Sequence, residues 1–273
     1  VYNRFDFTDF SECDFVYTVE ADGKVIAEKH IPMELAPHRW AEVPISVPEA
    51  DCRGMYLTCR LYHQGQLAAQ TQHLLQEGTK PEALCGQAIT EENDREVVFT
   101  GTGFRYVFSK LLGSFTSMAI DGEEQLAEPV RLTAWRAPTD NDRNIRLLWG
   151  SYNIWQGENL DKLFSKVYDC AVSEGKVNIE ASLAGVSRKP FFRYTLEIAV
   201  DRTGRISVKL QGKVRENVVW LPRLGFECAL PGTNMPFRYY GCGPTESYCD
   251  LRHGGTVGMY ESAPDREYVP YAR

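Results

Sequence analysis

Residues 191–214, FFRYTLEIAVDRTGRISVKLQGKV, alternate apolar and polar side chains with a period of two. Phe192, Tyr194, Leu196, Ile198 and Val200 fall on one face of an extended segment, DRTG supplies a turn, and Ile206, Val208 and Leu210 resume the pattern. Successive side chains of a strand point to opposite faces, so this stretch specifies a long antiparallel hairpin with one face in a core. A helix would scatter the same apolar residues around its circumference. The period recurs in EVVFTG (96–101), GFRYVFSK (103–110), FTSMAIDGEEQL (115–126), KVNIEASLAG (176–185) and FRYYGCG (237–243). The expected fold class is therefore all-β, built from large twisted antiparallel sheets rather than βαβ units.

The first part of the chain follows the same rule. FVYTVE (15–20) and VIAEKH (25–30) flank Asp22-Gly23, a pair suited to the positive-φ turn of a hairpin. In GMYLTCRLYHQG (54–65), Met55, Leu57, Cys59 and Leu61 alternate with Tyr56, Thr58, Arg60 and Tyr62, and Pro32, Pro37, Pro44 and Pro48 punctuate the stretch between. Residues 1–76 are expected to form a small antiparallel sandwich. The segment QEGTKPEALCGQAITEENDRE (76–96) is polar, carries Gly78 and Pro81 and shows neither period, so residues 77–96 read as a linker before a second domain at 97–273. In NLDKLFSKV (159–167), Leu160, Leu163, Phe164 and Val167 recur at i, i+3, i+4 and i+7 behind Asn159, which predicts one short capped helix across a sheet edge.

Charge narrows the function classes. Thirty basic and 37 acidic residues give a net charge of −7, and neither sign gathers into long blocks, which argues against nucleic acid as a partner. No stretch approaches the ~18 apolar residues of a membrane span, and VYNRFDFTDF has neither a basic nor an apolar leader region, which predicts a soluble protein and no membrane partner. The start at Val1, with Tyr2, Phe5 and Phe7 already strand-like, predicts a natural chain that begins earlier; the end at EYVPYAR predicts an incomplete last domain. The eight cysteines include no CxxC pair, so reduced, mostly buried thiols in a cytoplasmic protein are expected.

Two stretches concentrate polar chemistry. In WRAPTDND (135–142), Arg136 offers a planar fork of donors, Pro138 fixes φ, and Asp140, Asn141 and Asp142 offer acceptors and an amide. Such a cluster can bind a polyol, a cation or the backbone of a neighbouring domain; Asp and Asn after Pro are equally ordinary turn formers, and an Arg beside them an ordinary ion-pair partner. It lacks the ligand spacing, Gly and distant Glu of a calcium loop. Adjacent loop aspartates also fall short of a glycosidase pair, which needs two carboxyls ~5–5.5 Å apart in a retaining enzyme.

In YYGCGPTESYCD (239–250), Gly241 and Gly243 permit close backbone approach or positive φ, and Pro244 stiffens the turn from which Glu246 and Tyr248 project; Asp250 closes the motif. No GK[ST] follows and the surroundings read as β, which argues against a phosphate loop, and a tight corner between strands accounts for the same residues. His253 is the sole histidine after residue 97, and no Ser-His-Asp or zinc set can be assembled around it. On its residues alone, the chain offers a recognition surface without a catalytic engine.

Taken in order, RAPTDND, WQGENLDKL, WLPRLGFECALP and YYGCGPTESYCD resemble the successive signatures of the C-terminal region of glycoside hydrolase family 2 β-galactosidases. NRFDFTDF and the DGK hairpin likewise resemble the immunoglobulin-like domain that precedes that region, so the resemblance spans nearly the whole chain. It implies an immunoglobulin-like β-sandwich followed by a galactose-mutarotase-like supersandwich that is truncated at its C-terminus. It also implies a parent enzyme that hydrolyses terminal β-galactosides with retention, through two glutamates of a barrel N-terminal to everything in this sequence. No catalytic residue is then expected here. Arg136, Asp140, Asn141 and Asp142 would organise a loop facing the barrel mouth, and Gly241, Gly243, Pro244, Glu246, Tyr248 and Asp250 would form a structural motif.

The resemblance further implies magnesium and sodium in the parent, with ligands mainly in other domains and none assigned here. Implied partners are the N-terminal and barrel domains of the same polypeptide, the β-galactoside substrate and further copies in a homo-oligomer. One departure is Leu251, where the family commonly has a basic residue after the Asp; Arg252 follows one place later. A stand-alone carbohydrate-binding module would stack sugars on exposed Trp135, Trp149 or Trp155. An aldose mutarotase would need a carboxylate base and a histidine acid, for which His253 is the sole candidate.

Overall fold

The computed structural model describes residues 1–77, 83–138, 142, 149, 157–218, 220–245, 247 and 254–267. Five of the candidate residues, Asp140, Asn141, Glu246, Tyr248 and Asp250, lie outside the described residues, as do Trp155 and His253. The chain packs as two compact units, Val1–Glu82 with Thr233–Arg273, and Ala83–Gly232. Both are all-β, and every strand pair is antiparallel.

In the first unit, β1 (Cys13–Ala21), β2 (Lys24–Ile31), β3 (Met55–His63) and β4 (Gln66–Gln76) form a sheet of order β2-β1-β3-β4. Asp22 and Gly23 take φ of 49° and 77°, the paired positive values of the tight turn that their sequence predicts. Register then decides which residues are buried. Phe15 faces Leu61, Tyr17 faces Cys59, Val19 faces Leu57 and Ala21 faces Met55, so one face of the central pair is wholly apolar. The Pro-punctuated stretch covers that face: Leu35, Met33 and Val43 join Phe10, Phe15 and Leu61, while Cys52, Ile45 and Ala50 join Tyr17, Val19 and Met55.

In the second unit, β5 (Ile89–Glu92), β6 (Glu96–Gly101), β7 (Phe104–Ser109), β8 (Ser114–Ile120) and β9 (Glu123–Glu124) form a five-stranded meander. β10 (Glu128–Thr133) pairs with β15 (Gly225–Ala229). Between them in sequence, β11 (Leu163–Ser173), β12 (Lys176–Gly185), β13 (Phe192–Val200) and β14 (Ile206–Val214) form a four-stranded sheet in sequential order. One core joins the two larger sheets, with Val97, Phe99, Phe108 and Phe115 from one and Val177, Ile179, Leu183, Leu196 and Ile198 from the other. Each such side chain contributes about 1.5–3 kcal/mol on burial, which makes this layer the main source of stability in the unit.

Three expectations are corrected. NLDKLFSKV is not a helix: from Leu163 onward it is the edge strand β11. The polar stretch taken for a linker contains β5, whose Ile89–Glu92 pair with Val97–Thr100; its polarity is that of an exposed edge strand. The thiols are not mostly buried, since Cys52 alone is buried among the seven described cysteines and Cys85 and Cys228 are exposed. In β14, Ile206 and Leu210 pack on the core as expected, while Val208 is 47% exposed.

The last two strands, β16 (Phe237–Gly243) and β17 (Thr256–Ser262), form a hairpin that belongs to the first unit. It meets the other face of the first sheet, where Thr18 and Thr58 are buried. The Gln72 side chain hydrogen-bonds Thr58 Oγ1 and the backbone of Val257 there. A helical turn, Pro264–Glu267, follows; Ser262 Oγ donates to its Glu267 carboxylate.

Candidate functional site

The WRAPTDND stretch begins where β10 ends. Thr133 Oγ1 accepts the Trp135 N–H at 3.2 Å, a local bond that competes with ladder pairing and stops the strand. Two residues on, the Arg136 fork closes on one carboxylate. Nη1 donates to Asp142 Oδ2 at 2.5 Å and Nη2 to Oδ1 at 3.1 Å, while Nη1 also reaches the Ala137 carbonyl at 3.1 Å. The pair is largely withdrawn from water, with side-chain exposures of 19% for Arg136 and 7% for Asp142. Two parallel bonds of this kind fix orientation as well as charge.

Beneath the pair lies Trp149. The Arg136 guanidinium carbon is 5.3 Å from the centre of its ring, a cation–π arrangement. Trp149 is fully buried, and its indole N–H donates to the Trp220 carbonyl at 2.8 Å, with the two rings 5.9 Å apart. The structure thus brings together Arg136 and Asp142 of the expected four and adds two tryptophans. Trp149 cannot stack on a sugar as the module reading requires, and Trp135 is half-buried against the core. Trp220, which sequence reasoning passed over, is 60% exposed.

Gly241 and Gly243 sit inside β16 and face Gly258 and Thr256 of β17. Close approach, not positive φ, accounts for Gly243: a Cβ there would lie 2.5 Å from the Tyr239 hydroxyl and 2.9 Å from the Tyr260 ring. The Gly243–Pro244 peptide is cis. Tyr239 and Tyr260 lie 5.5 Å apart across the hairpin, and Tyr260 OH donates to the Thr256 carbonyl at 2.8 Å. The motif, as far as it is described, builds a tight corner lined by tyrosines.

Two carboxylates were missed. Glu158, in the WQGENLDKL stretch, bonds Arg215 at 2.5 Å, and Arg215 also reaches the Lys189 carbonyl at 3.3 Å. No local spacing announces a pair 57 residues apart. Asp201, in the DRTG turn, accepts from Thr203 N and Oγ1, Arg205 N and Cys85 N at 2.7–3.1 Å. Those bonds, the Thr203 hydroxyl foremost, hold its carboxyl well below the usual carboxylate range despite the opposing effect of burial. An Asp two residues before a Thr was the available signal, since it is the usual donor-gathering turn.

Among the described residues, no three His, Cys, Asp or Glu side chains gather as metal ligands, and no helix is long and apolar enough to cross a membrane.

Comparison with known proteins gives matches along almost the whole chain. Residues 1–76 match the family model described as β-galactosidase, domain 4, and residues 100–273 match the model described as β-galactosidase small chain. The chain is 30% identical to a β-galactosidase of Lactobacillus delbrueckii subsp. bulgaricus over 281 residues, covering 97% of this chain and 27% of that protein. It is 25% identical to a β-galactosidase of Actinobacillus pleuropneumoniae and 27% identical to one of Priestia megaterium; each match covers 100% of this chain and 28% of the relative. The chain therefore spans little more than a quarter of the length of these curated relatives.

Proposed function

Because the chain belongs to the β-galactosidase small-chain family, we propose that it is the C-terminal, non-catalytic portion of a family 2 glycoside hydrolase that cleaves terminal β-galactosides with retention. The observation that carries this reading is the ordered match of both family models, across a chain that corresponds to 27% of its relative from Lactobacillus. The two carboxylates of a retaining site, about 5–5.5 Å apart, belong in the remainder of the polypeptide. That remainder, with the β-galactoside and further copies of the protein, makes up the partners; magnesium and sodium serve the parent through ligands outside this chain. Unpaired cysteines in the described residues are in keeping with a reducing, cytoplasmic setting.

The role of this portion is to shape and support the rim of the sugar site. Arg136 and Asp142 suit that role because their two-armed pairing is shielded from water and the guanidinium lies over a rigid indole. On this reading Asp140 and Asn141 share the loop-organising role of Arg136 and Asp142, and Glu246, Tyr248 and Asp250 belong to the same structural motif as Gly241, Gly243 and Pro244.

A chromogenic galactoside assay tests the reading. The purified 273-residue chain releases no nitrophenol, the longer protein does, and Arg136→Lys in the longer protein raises KM more than it lowers kcat. Hydrolysis by the chain alone would overturn the assignment.

A further inference from the structure

The outer face of the four-stranded sheet carries an arrangement that sheets ordinarily avoid. Register places Lys166 opposite Ser182, Ser182 opposite Arg193 and Arg193 opposite Lys213, so the four residues form one straight row across β11, β12, β13 and β14. Directly opposed residues share a face. Lys166, Arg193 and Lys213 are all exposed, whereas Ser182 is buried and its hydroxyl shares a hydrogen bond with Tyr168 OH at 2.9 Å. With strands about 4.8 Å apart, Arg193 and Lys213 are immediate neighbours and Lys166 lies two strands away, about 10 Å.

Like charges directly opposite each other destabilise a sheet. Among the described residues none of the three cations forms an ion pair, and the nearest carboxylate along the face, Glu180, stands one row away opposite Thr195. Lys166 and Arg193 both lie over the Tyr168 ring, at 5.4 and 5.5 Å, which holds them near the row without neutralising them. One row farther along, Thr195 faces Gln211, and beyond that Glu197 faces Lys209, the compensated pairing expected of a solvated surface. The repulsive pair is thus a local feature of one row.

The surface along the row is concave. A cleft of about 530 Å³ is lined by Lys189, Arg193, Lys213 and Arg215, with Phe191 and Glu216. A second, of about 450 Å³, shares Arg193 and Lys213 and adds Tyr168, Glu180, Thr195 and Gln211. Arg215 is already held by Glu158, so the cations that remain for a ligand are Lys166, Lys189, Arg193 and Lys213. This sign runs against the chain as a whole, whose net charge is −7.

We propose that this row binds a phosphate-type dianion, either inorganic phosphate or the phosphate of a phosphorylated sugar. Two adjacent cations call for two negative charges, which a single carboxylate does not supply. The Arg193 fork can take two phosphate oxygens together, while Lys213 and Lys189 act as mobile point charges beside it. Thr195 and Gln211 then stand where hydroxyls of an attached sugar would lie. Binding converts a repulsive cross-strand pair into a bridged one.

Calorimetry on the full 273-residue chain, with inorganic phosphate replacing chloride at constant ionic strength, tests the proposal. Saturable binding is expected, weakened at least about tenfold in an Arg193→Gln, Lys213→Gln double variant, which removes the charged donors of both adjacent positions. Lys209→Gln, whose residue faces Glu197, should bind as the parent chain does. Without phosphate, Lys213→Gln should unfold at the same or a higher temperature than the parent chain, because it removes the opposed charge. Galactose 6-phosphate in place of phosphate identifies the source: tighter binding assigns the row to a phosphorylated sugar, equal binding to free phosphate. An effect that rises linearly without saturation, or that is unchanged in the double variant, is general salt stabilisation and would overturn the site.

Discussion

Gln72 and Val257 are joined by both ends of one side-chain amide. Gln72 Nε2 donates to the Val257 carbonyl at 2.8 Å, and its Oε1 accepts the Val257 N–H at 2.7 Å. A side chain on β4 thereby reproduces the pair of bonds that a neighbouring strand would give to β17, and the same Nε2 also meets Thr58 Oγ1 at 3.0 Å. Gln72→Leu removes all three bonds and leaves both Val257 backbone groups without them. The expected loss is about 1–3 kcal/mol, read from the denaturant midpoint, with faster hydrogen exchange at the Val257 amide.

The Arg136–Asp142 pair predicts a different signature. Asp142→Ala leaves a guanidinium that is mostly shielded from water without its two-armed partner. Breaking a buried pair costs about 3–5 kcal/mol, and the 19% exposure of Arg136 reduces this to about 2–3 kcal/mol. Because Arg136 lies over Trp149, the variant should also shift tryptophan emission to the red, whereas a distant surface substitution should not.

Asp201 links stability to acid. Its folded-state pKa is depressed, so its contribution is fully present above the ordinary carboxylate range near pH 4 and is lost as pH falls from there through the folded value. Asp201→Asn should therefore be less stable than the parent chain at neutral pH, and the difference should shrink steadily below pH 4. Thermal unfolding measured between pH 7 and pH 2 checks this; a constant difference would mean that the loss is one of shape and not of charge.

Gly204, in the same turn, has φ of +84°, and a Cβ there would lie 2.9 Å from the Phe104 ring and 3.0 Å from the Tyr106 hydroxyl. Gly204→Ala combines a left-handed backbone penalty with a clash, together about 2–4 kcal/mol by equilibrium unfolding. It should also weaken the bond from Tyr106 OH to the Gly204 carbonyl, which is 3.1 Å.

Much of the fold was legible because burial and alternation coincide in its central strands. Phe192, Tyr194, Leu196, Ile198 and Val200 are all buried, as their spacing predicts. Strand β11 was misread because polarity does not follow its faces: Phe164 lies on the outward side and is 46% exposed, Ser165 shares the inward row of Leu163 and Val167 and accepts from Tyr194 OH, and Leu160 is buried just before the strand begins, so the apolar residues alone show a helix-like spacing. β5 escaped notice because an edge strand with little burial needs few apolar residues. At the candidate site, Arg136 and Asp142 were nameable from their proximity in sequence, whereas Trp149, Trp220, Glu158 and Arg215 meet through folding alone. The opposed Arg193 and Lys213 became visible only once the register was fixed.

The bond between Gln72 and Val257 spans 185 positions of sequence. During synthesis at about 5–20 residues per second, the first sheet must wait roughly 10–40 s before the hairpin that covers its polar face leaves the ribosome. Thr18 and Thr58 are wet throughout that interval, and their neighbourhood is where a chaperone would find the nascent chain unfinished.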